Sequence, residues 1–321
     1  MRILIVTPQI GRIATGNRCS AEQWVRVFRE LDHEVELKAV EEDFGERGFD
    51  VLVALNAKRI PGVIERFKEA CPRGRVVVVL TGTDIYPEVE ECAVTAMSRA
   101  DRLVALQVKA VKQVPLQLRE KVGVIVQSAS AVGSGCPRED GFFNLAVVGH
   151  FRAVKDPMRT AAAVRLLPDE SQVRVRQVGA VLEECYDELI QQEVKENPRY
   201  QWLGELSQET TGELIAGSDL LVLTSLSEGA GRVVGEAVVN GTPVLSSRID
   251  GVVGLLGEDY PGCFPVGDTE ALSEMIWKAE SDEAFYLALD ESCRKLAKQF
   301  APETEREAWR ELLDELEKKR D

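Results

Sequence analysis

Two glutamates eight residues apart, Glu228 and Glu236, bracket a glycine-rich turn in the segment Ser227-Glu-Gly-Ala-Gly-Arg-Val-Val-Gly-Glu236. An ionised carboxylate only accepts hydrogen bonds and can take two from adjacent hydroxyls, so the pair suits a hydroxyl-rich ligand. Gly229 and Gly231, ahead of Arg232 and Val233, let backbone N–H groups approach an anion where a helix begins. A second cluster, Gly149-His150-Phe-Arg152-Ala-Val-Lys155-Asp-Pro157, puts two cations and a histidine in one loop, with Arg159 just beyond. Fixed cations aimed at an anionic leaving group lower the barrier to its departure. Two more loops qualify. Gly11-Arg-Ile-Ala-Thr-Gly16-Asn17-Arg18 is a small-residue loop ending on a cation, and a plain flexible turn explains it equally well. Thr81-Gly82-Thr83-Asp84 ends an apolar run, so Thr83 and Asp84 are expected in the crevice beyond it. Lys58 and Arg59 follow another such run.

These loops need strands before them and helices after them, and the chain supplies both in two rounds. The first round reads as strands at Ile3–Val6, Val35–Val40, Val51–Leu55, Val76–Leu80, Leu103–Leu106 and Val122–Val126. Several are continuously apolar, as strands buried on both faces of a parallel sheet must be. Between the first two lies a helix with Trp24, Val27, Phe28 and Leu31 on one face, and Ser20 with Gln23 is expected as its capping box. The segment Ser130–Gly141 has linker composition and separates the rounds. The second round reads as strands at Leu145–Val148, Val173–Val178, Tyr200–Leu203, Leu220–Leu223 and Pro243–Ser246. Its helices are expected at Pro157–Leu167, Leu182–Lys195, Glu209–Gly217, Val233–Asn240 and Glu270–Glu280. A charged amphipathic helix, Glu303–Arg320, closes the chain with Trp309, Leu312, Leu313 and Leu316 on one side. The pattern predicts an α/β protein of two doubly wound, Rossmann-like domains facing across a cleft. The expected bounds are 1–135 and 141–301, with the helix 302–321 packing back on the first domain.

Bulk properties narrow the partners. The 321 residues carry a net charge of −15, from 39 Lys and Arg against 54 Asp and Glu, which argues against nucleic acid or an anionic membrane. A phosphorylated ligand needs only a local basic pocket. The seven cysteines form no CxxC or Cys/His cluster, so reduced thiols and no metal site are expected. No apolar run approaches the roughly 20 residues of a membrane span, and no secretory signal is visible, so a soluble, cytoplasmic protein is expected. Gly-x-Gly-x-x-Gly is absent from the first turn, which removes a dinucleotide-dependent dehydrogenase. With His33 and His150 the only histidines, Ser/His/Asp catalysis has no support.

The spacing Glu228–Glu236, with the continuation Ala237-Val-Val-Asn-Gly-Thr-Pro-Val-Leu-Ser-Ser247, resembles the EX7E motif of retaining GT-B glycosyltransferases of the family-4 type. The resemblance implies that Glu236 holds the ribose of a nucleotide sugar and Glu228 its sugar hydroxyls, beside Gly229, Gly231, Arg232 and Val233. Lys155 falls on that family's phosphate-binding Lys. Its Arg is His150 here, with Arg152 two residues on. Gly16 and Asn17 correspond to the loop that meets the donor phosphates, and Leu206, in Trp202-Leu-Gly-Glu-Leu206, to the nucleobase loop. The run Gly16-Asn-Arg18, Thr81-Gly-Thr-Asp84, Gln127-Ser-Ala129, Gly149–Pro157, Asn197–Leu206 and Gly254-Leu-Leu-Gly-Glu-Asp-Tyr-Pro-Gly262 is similar to the selenosugar synthases of selenoneine biosynthesis. That family uses a UDP-hexose such as UDP-N-acetylglucosamine or UDP-glucose, with selenophosphate as acceptor. The chain departs from it at 228–232 and at 250–252, where Glu-Gly-Ala-Gly-Arg and Asp-Gly-Val replace patterns nearer Glu-Gly-Gly-Ala-Asn and Pro-Gly-Asn. Selenophosphate is a multiply charged anion, and Arg18, Lys58, Arg59, Thr83 and Asp84 are the candidates to receive it. No metal or other cofactor is expected. A hexosyltransferase to an alcohol, a nucleotide-sugar epimerase or hydrolase, and a catalytically inactive binder remain alternatives of the same fold.

Overall fold

The computed structural model describes residues 1–8, 15–43, 45, 48–133, 135 and 141–318. Residues 11–14 of the first glycine-rich loop, 134 and 136–140 of the expected linker, and 319–321 lie outside the described residues. The chain forms two units: Met1–Ser128 with Glu228–Ala230 and Pro302–Asp321, and Ala129–Ser227 with Gly231–Ala301. The division after Ser128 comes before the boundary expected between 135 and 141. Hydrogen bonding explains the shift: Ala129 N donates to Phe300 O at 3.0 Å and Val132 N to Asn240 Oδ1 at 2.9 Å, which fastens this segment into the second unit.

The first unit is a six-stranded parallel sheet built from β1 (Arg2–Thr7), β2 (Glu34–Ala39), β3 (Val51–Leu55), β4 (Arg75–Leu80), β5 (Arg102–Ala105) and β6 (Val122–Val124). Its order is β2-β1-β3-β4-β5-β6. β3 is buried throughout, and so are Ile3–Val6 and Val76–Leu80, because crossover helices cover both faces. The strand order reverses between β1 and β3, which opens a crevice at their carboxyl ends.

The second unit repeats the plan with β7 (Phe143–Val148), β8 (Val173–Val178), β9 (Tyr200–Trp202), β10 (Leu220–Leu223), β11 (Val244–Ser247) and β12 (Cys263–Phe264). The order β12-β11-β10-β7-β8-β9 is parallel throughout and reverses between β7 and β10. Among the described residues of this unit, two α-helices and one strand were not expected. The helices Asp250–Leu256 and Glu283–Leu296 escape a periodicity search for opposite reasons. The first is short and buried nearly all round, and the second buries only Leu289 and Cys293. The helix expected at Pro157–Leu167 is shorter, Arg159–Val164, because the chain passes through a left-handed Asp156 (φ 44°) into Pro157.

The capping box expected at Ser20 and Gln23 is not formed. The helix Gly16–Glu30 starts a turn earlier, where Thr15 Oγ1 accepts from Arg18 N at 3.4 Å. Ser20 lies inside and its hydroxyl donates to Gly16 O at 2.9 Å. Gln23 serves the terminal helix Pro302–Lys318 instead. Glu305 on that helix is 1% exposed, and its carboxylate accepts from Gln23 Nε2 (2.6 Å), Trp24 Nε1 (2.7 Å), Ser128 N (3.1 Å) and Ser128 Oγ (2.6 Å). Trp309, one turn further along the same face, packs edge-on against Trp24 and Phe28 with ring centroids 5.3 and 5.0 Å away. Apolar burial and a fully hydrogen-bonded carboxylate thus fix this helix in the first unit. Glu305→Ala strands donors from three residues and is expected to cost roughly 3 kcal/mol. A chemical-denaturation midpoint equal to that of the unaltered protein would refute this.

Candidate active site

In the second unit the candidate residues gather where the order reverses. Beyond β7, Gly149 N donates to Val178 O at 2.9 Å, and the chain turns against the end of β8. A Cβ on Gly179 (φ 155°) would lie 2.0 Å from Gly149 O, so only glycine lets these two strand ends meet. His150 braces the same turn, its Nδ1 accepting from Ala180 N at 3.1 Å, which leaves Nε2 to carry the ring proton. The loop then makes one 3₁₀ turn, Ala153–Lys155. It is clamped to the end of β10: Thr224 Oγ1 donates within 3.1 Å of Lys155 O and 2.9 Å of Asp156 O, and Leu226 N donates to Val154 O at 2.9 Å. The Lys155 stem runs beside Gly149, 3.9 Å from where a Cβ would stand. A small recess lies there, lined by Gly149, Lys155, Pro157, Gln177, Thr224 and Ser225 among others. Arg152 is half-buried, and its Nε is buried without a partner among the described residues. Arg159 is engaged elsewhere, with Asp156 and Thr269, both at 2.7 Å.

Glu236 belongs to the helix Arg232–Val239, whose N-cap Gly231 is left-handed (φ 53°). Arg232 Nε reaches forward one turn to Glu236 Oε1 at 3.1 Å, and both side chains are mostly buried. Burial raises the Glu236 carboxyl above the usual range, and the adjacent guanidinium pulls it back down. Val233 is half-buried in the first helical turn, and Leu206 is half-buried after β9.

The other glutamate lies in a segment of the first unit, Glu228–Ala230. There Gly229 and Gly82 stack backbone on backbone. A Cβ on Gly229 would sit 2.3 Å from Thr81 O, and one on Gly82 (φ 122°) would sit 2.6 Å from Gly229 N. The fully buried Gln107 fixes this contact, donating from Nε2 to Gly229 O (3.3 Å) and to Tyr86 Oη (3.1 Å). Its Oε1 accepts from Lys109 N (2.6 Å) and Ala110 N (3.2 Å). A lone glutamine at a strand end gives no sequence signal, so Gln107 was invisible until the fold closed around it.

The acceptor candidates fare unequally. Asp84 does not face a crevice. It is 1% exposed, and its carboxylate accepts from Ala57 N (2.8 Å), Thr81 N (3.0 Å) and Gly82 N (2.8 Å), so it is a buried tie under the loop. Burial pushes its carboxyl up while those amides oppose the shift. Thr83 is exposed and accepts from Asn56 Nδ2 at 3.0 Å. Lys58 is paired with Glu90, and Arg18 with Glu22 at 2.8 Å. Arg59 is exposed. Gly16 and Asn17 stand in the first turn of a helix and not in a loop before it, because Thr15 caps them.

Comparison with known proteins places this geometry. Residues 137–300, just over half the chain, match the family described as glycosyl transferases group 1. N-acetyl-α-D-glucosaminyl L-malate synthase from Bacillus anthracis is 27% identical over 149 residues, 46% of this chain. The match spans only 39% of that protein's length. The crystal structure of Anabaena HepE in complex with UDP and glucose superposes with a TM-score of 0.81 at 18% identity, covering 98% of this chain and all of that one. Sucrose-phosphate synthase from Thermosynechococcus elongatus gives 0.80 at 15% identity, covering 98% of each chain. At such identities the likeness establishes the GT-B fold. Among the described residues, no helix is long and apolar enough to cross a membrane.

If Glu228 works from the seat that the two glycines provide, Gly229→Ala must displace it. Any sugar-transfer activity is expected to fall at least tenfold, since small displacements of a positioned group cost about 10²-fold. Steady-state kinetics that match the unaltered protein would show the contact to be dispensable.

Proposed function

Because the chain belongs to the glycosyl transferases group 1 family, we propose that it transfers a hexose from a UDP-sugar, and that the acceptor is selenophosphate. The observation that carries the donor half is the recess at the β7–β10 reversal, lined by Lys155, whose backbone is held by the end of β10, while Arg152 of the same loop keeps a buried donor unpaired among the described residues. A leaving diphosphate meets fixed positive charge there, and that charge acts without a metal ion. Glu236 takes the two ribose hydroxyls, and Glu228 the hydroxyls of the sugar. HepE, solved with UDP and glucose, and the glucosaminyl L-malate synthase support UDP-glucose or UDP-N-acetylglucosamine as the donor.

The acceptor half rests on the resemblance to selenosugar synthases and on Asp84. An alcohol must lose a proton as it attacks, and Asp84 is the carboxylate among the acceptor candidates that could take it. The structure engages both its oxygens beneath the loop. Selenophosphate carries an ionised, polarizable selenium and needs no base. In the proposed step a carbon–selenium bond forms at the anomeric carbon while its bond to the diphosphate oxygen breaks, and UDP leaves with that electron pair.

Incubating the protein with UDP-hexoses, with and without selenophosphate, and analysing the products by mass spectrometry tests the reading. A selenium-bearing sugar together with free UDP is expected. Transfer to an alcohol with no selenium product would replace the acceptor, and absence of any UDP release would end the enzyme reading. Turnover is expected to survive EDTA, and Lys155→Ala is expected to lower kcat by about 10²-fold.

Glu236 gives a pH signature. Its raised carboxyl protonates as pH falls while an exposed glutamate would still be ionised, and a protonated carboxyl accepts poorly from two hydroxyls. UDP affinity is therefore full above that raised value and declines as pH falls through it. Glu236→Gln is expected to weaken UDP about tenfold, and to flatten this pH dependence. Calorimetric titration across the acidic range measures both, and an unflattened profile would remove Glu236 from the ribose.

A further inference from the structure

The first unit has its own reversal point, between β1 and β3, and polar residues follow β3 and the strand beside it, β4. Asn56 follows β3 directly, is 3% exposed, and holds a left-handed backbone (φ 72°) that a residue other than glycine adopts only under constraint. Its Nδ2 donates to two hydroxyls of the next loop, Thr81 Oγ1 at 3.2 Å and Thr83 Oγ1 at 3.0 Å. A hydroxyl that has accepted from an amide keeps its own hydrogen to give elsewhere. Asn56 thus turns two threonines into donors, one of them exposed. Its own Oδ1 is buried with no partner among the described residues, an acceptor that costs stability unless a ligand hydroxyl meets it.

We propose that Asn56, Thr81 and Thr83 form a subsite for a tetrahedral oxyanion, specifically the phosphoryl group of the acceptor. Two threonine hydroxyls donate to phosphoryl oxygens. Asn56 Oδ1 takes the P–O–H hydrogen of a singly protonated phosphoryl group. Arg59, exposed three residues after Asn56, supplies positive charge nearby. Of the neighbouring acids, Asp84 is engaged by three backbone amides and Glu90 is paired with Lys58, and the backbone of Glu228 lies against Gly82. Hydroxyl and amide groups, with the lysine paired, favour a small, partly protonated oxyanion over a polyphosphate. Asn56 itself is a positioning residue for Thr81 as well as a contact.

The subsite deepens the selenophosphate reading, and only the acceptor's identity rests on that reading. Inorganic phosphate is therefore the probe, titrated calorimetrically into the full chain with UDP present, so that no turnover is needed. Millimolar or tighter binding is expected. Thr83→Val, at an exposed position, is expected to weaken it about tenfold, and Thr83→Ser to restore it. Asn56→Asp replaces the donor by a carboxylate that draws both hydroxyl hydrogens inward, and is expected to abolish phosphate binding while UDP affinity stays unchanged. Absence of phosphate binding, or binding indifferent to Thr83→Val, overturns the subsite. Binding lost in these variants supports the subsite even where no selenium-containing sugar is made, an outcome that removes selenophosphate alone.

Discussion

A strand buried on both faces of a parallel sheet has no free side, so chemistry can occur only beyond its carboxyl end. Neighbouring loops cover most such ends. Where the strand order reverses, the two connections part to opposite faces and leave a crevice uncovered. Each unit of this protein has one reversal, β1 against β3 and β7 against β10, and each gathers the polar residues that the sheet interior excludes. In the second unit these are Lys155, Arg152 and Thr224, and in the first Asn56, Thr81 and Thr83. The placement follows from topology, and the side chains then set the chemistry.

Within this frame, glycines act as spacers and carboxylates as ties. Gly179 lets the ends of β7 and β8 touch, and Gly229 and Gly82 bring two backbones into contact that a single methyl group on either would separate. Asp84 and Glu305 are acids that chemistry could have used, yet each is filled by donors of the protein's own chain. Burying such a group is costly unless its lone pairs are met, and here they are met by backbone amides, an indole and an amide side chain. Glu236 differs. Its partner is one arginine on the same helix, and burial raises its carboxyl, which leaves it responsive to a ligand and to pH.

The cations divide in the same way. Arg159, Lys58 and Arg18 pair with Asp156, Glu90 and Glu22, so their charge is largely neutralised locally. Arg152 retains a buried donor without a partner among the described residues. In a chain of net charge −15, positive potential at an anion therefore depends on cations placed locally by the fold.

The sequence by itself determined the class of fold. Continuous apolar runs can be satisfied only in a sheet covered on both faces, and runs such as Val51–Leu55, Val173–Val178 and Leu220–Leu223 are the strands observed, to the residue. It also marked the glycine-bracketed Glu228 and Glu236 and the Arg152–Lys155 loop, because residue type and short spacing are local information. Only the tertiary structure decided which polar groups are at liberty. Asp84 and Thr83 are neighbours in sequence, yet one is sealed beneath the loop and the other is exposed, since that depends on where Ala57 and Asn56 arrive from another strand. Gln107 and Asn56 had no motif to announce them, and the partners that give them their roles, Gly229 for one and Thr81 for the other, lie 122 and 25 residues away. Hydrogen-bond satisfaction is a property of the closed chain, and spacing along an open one carries no record of it.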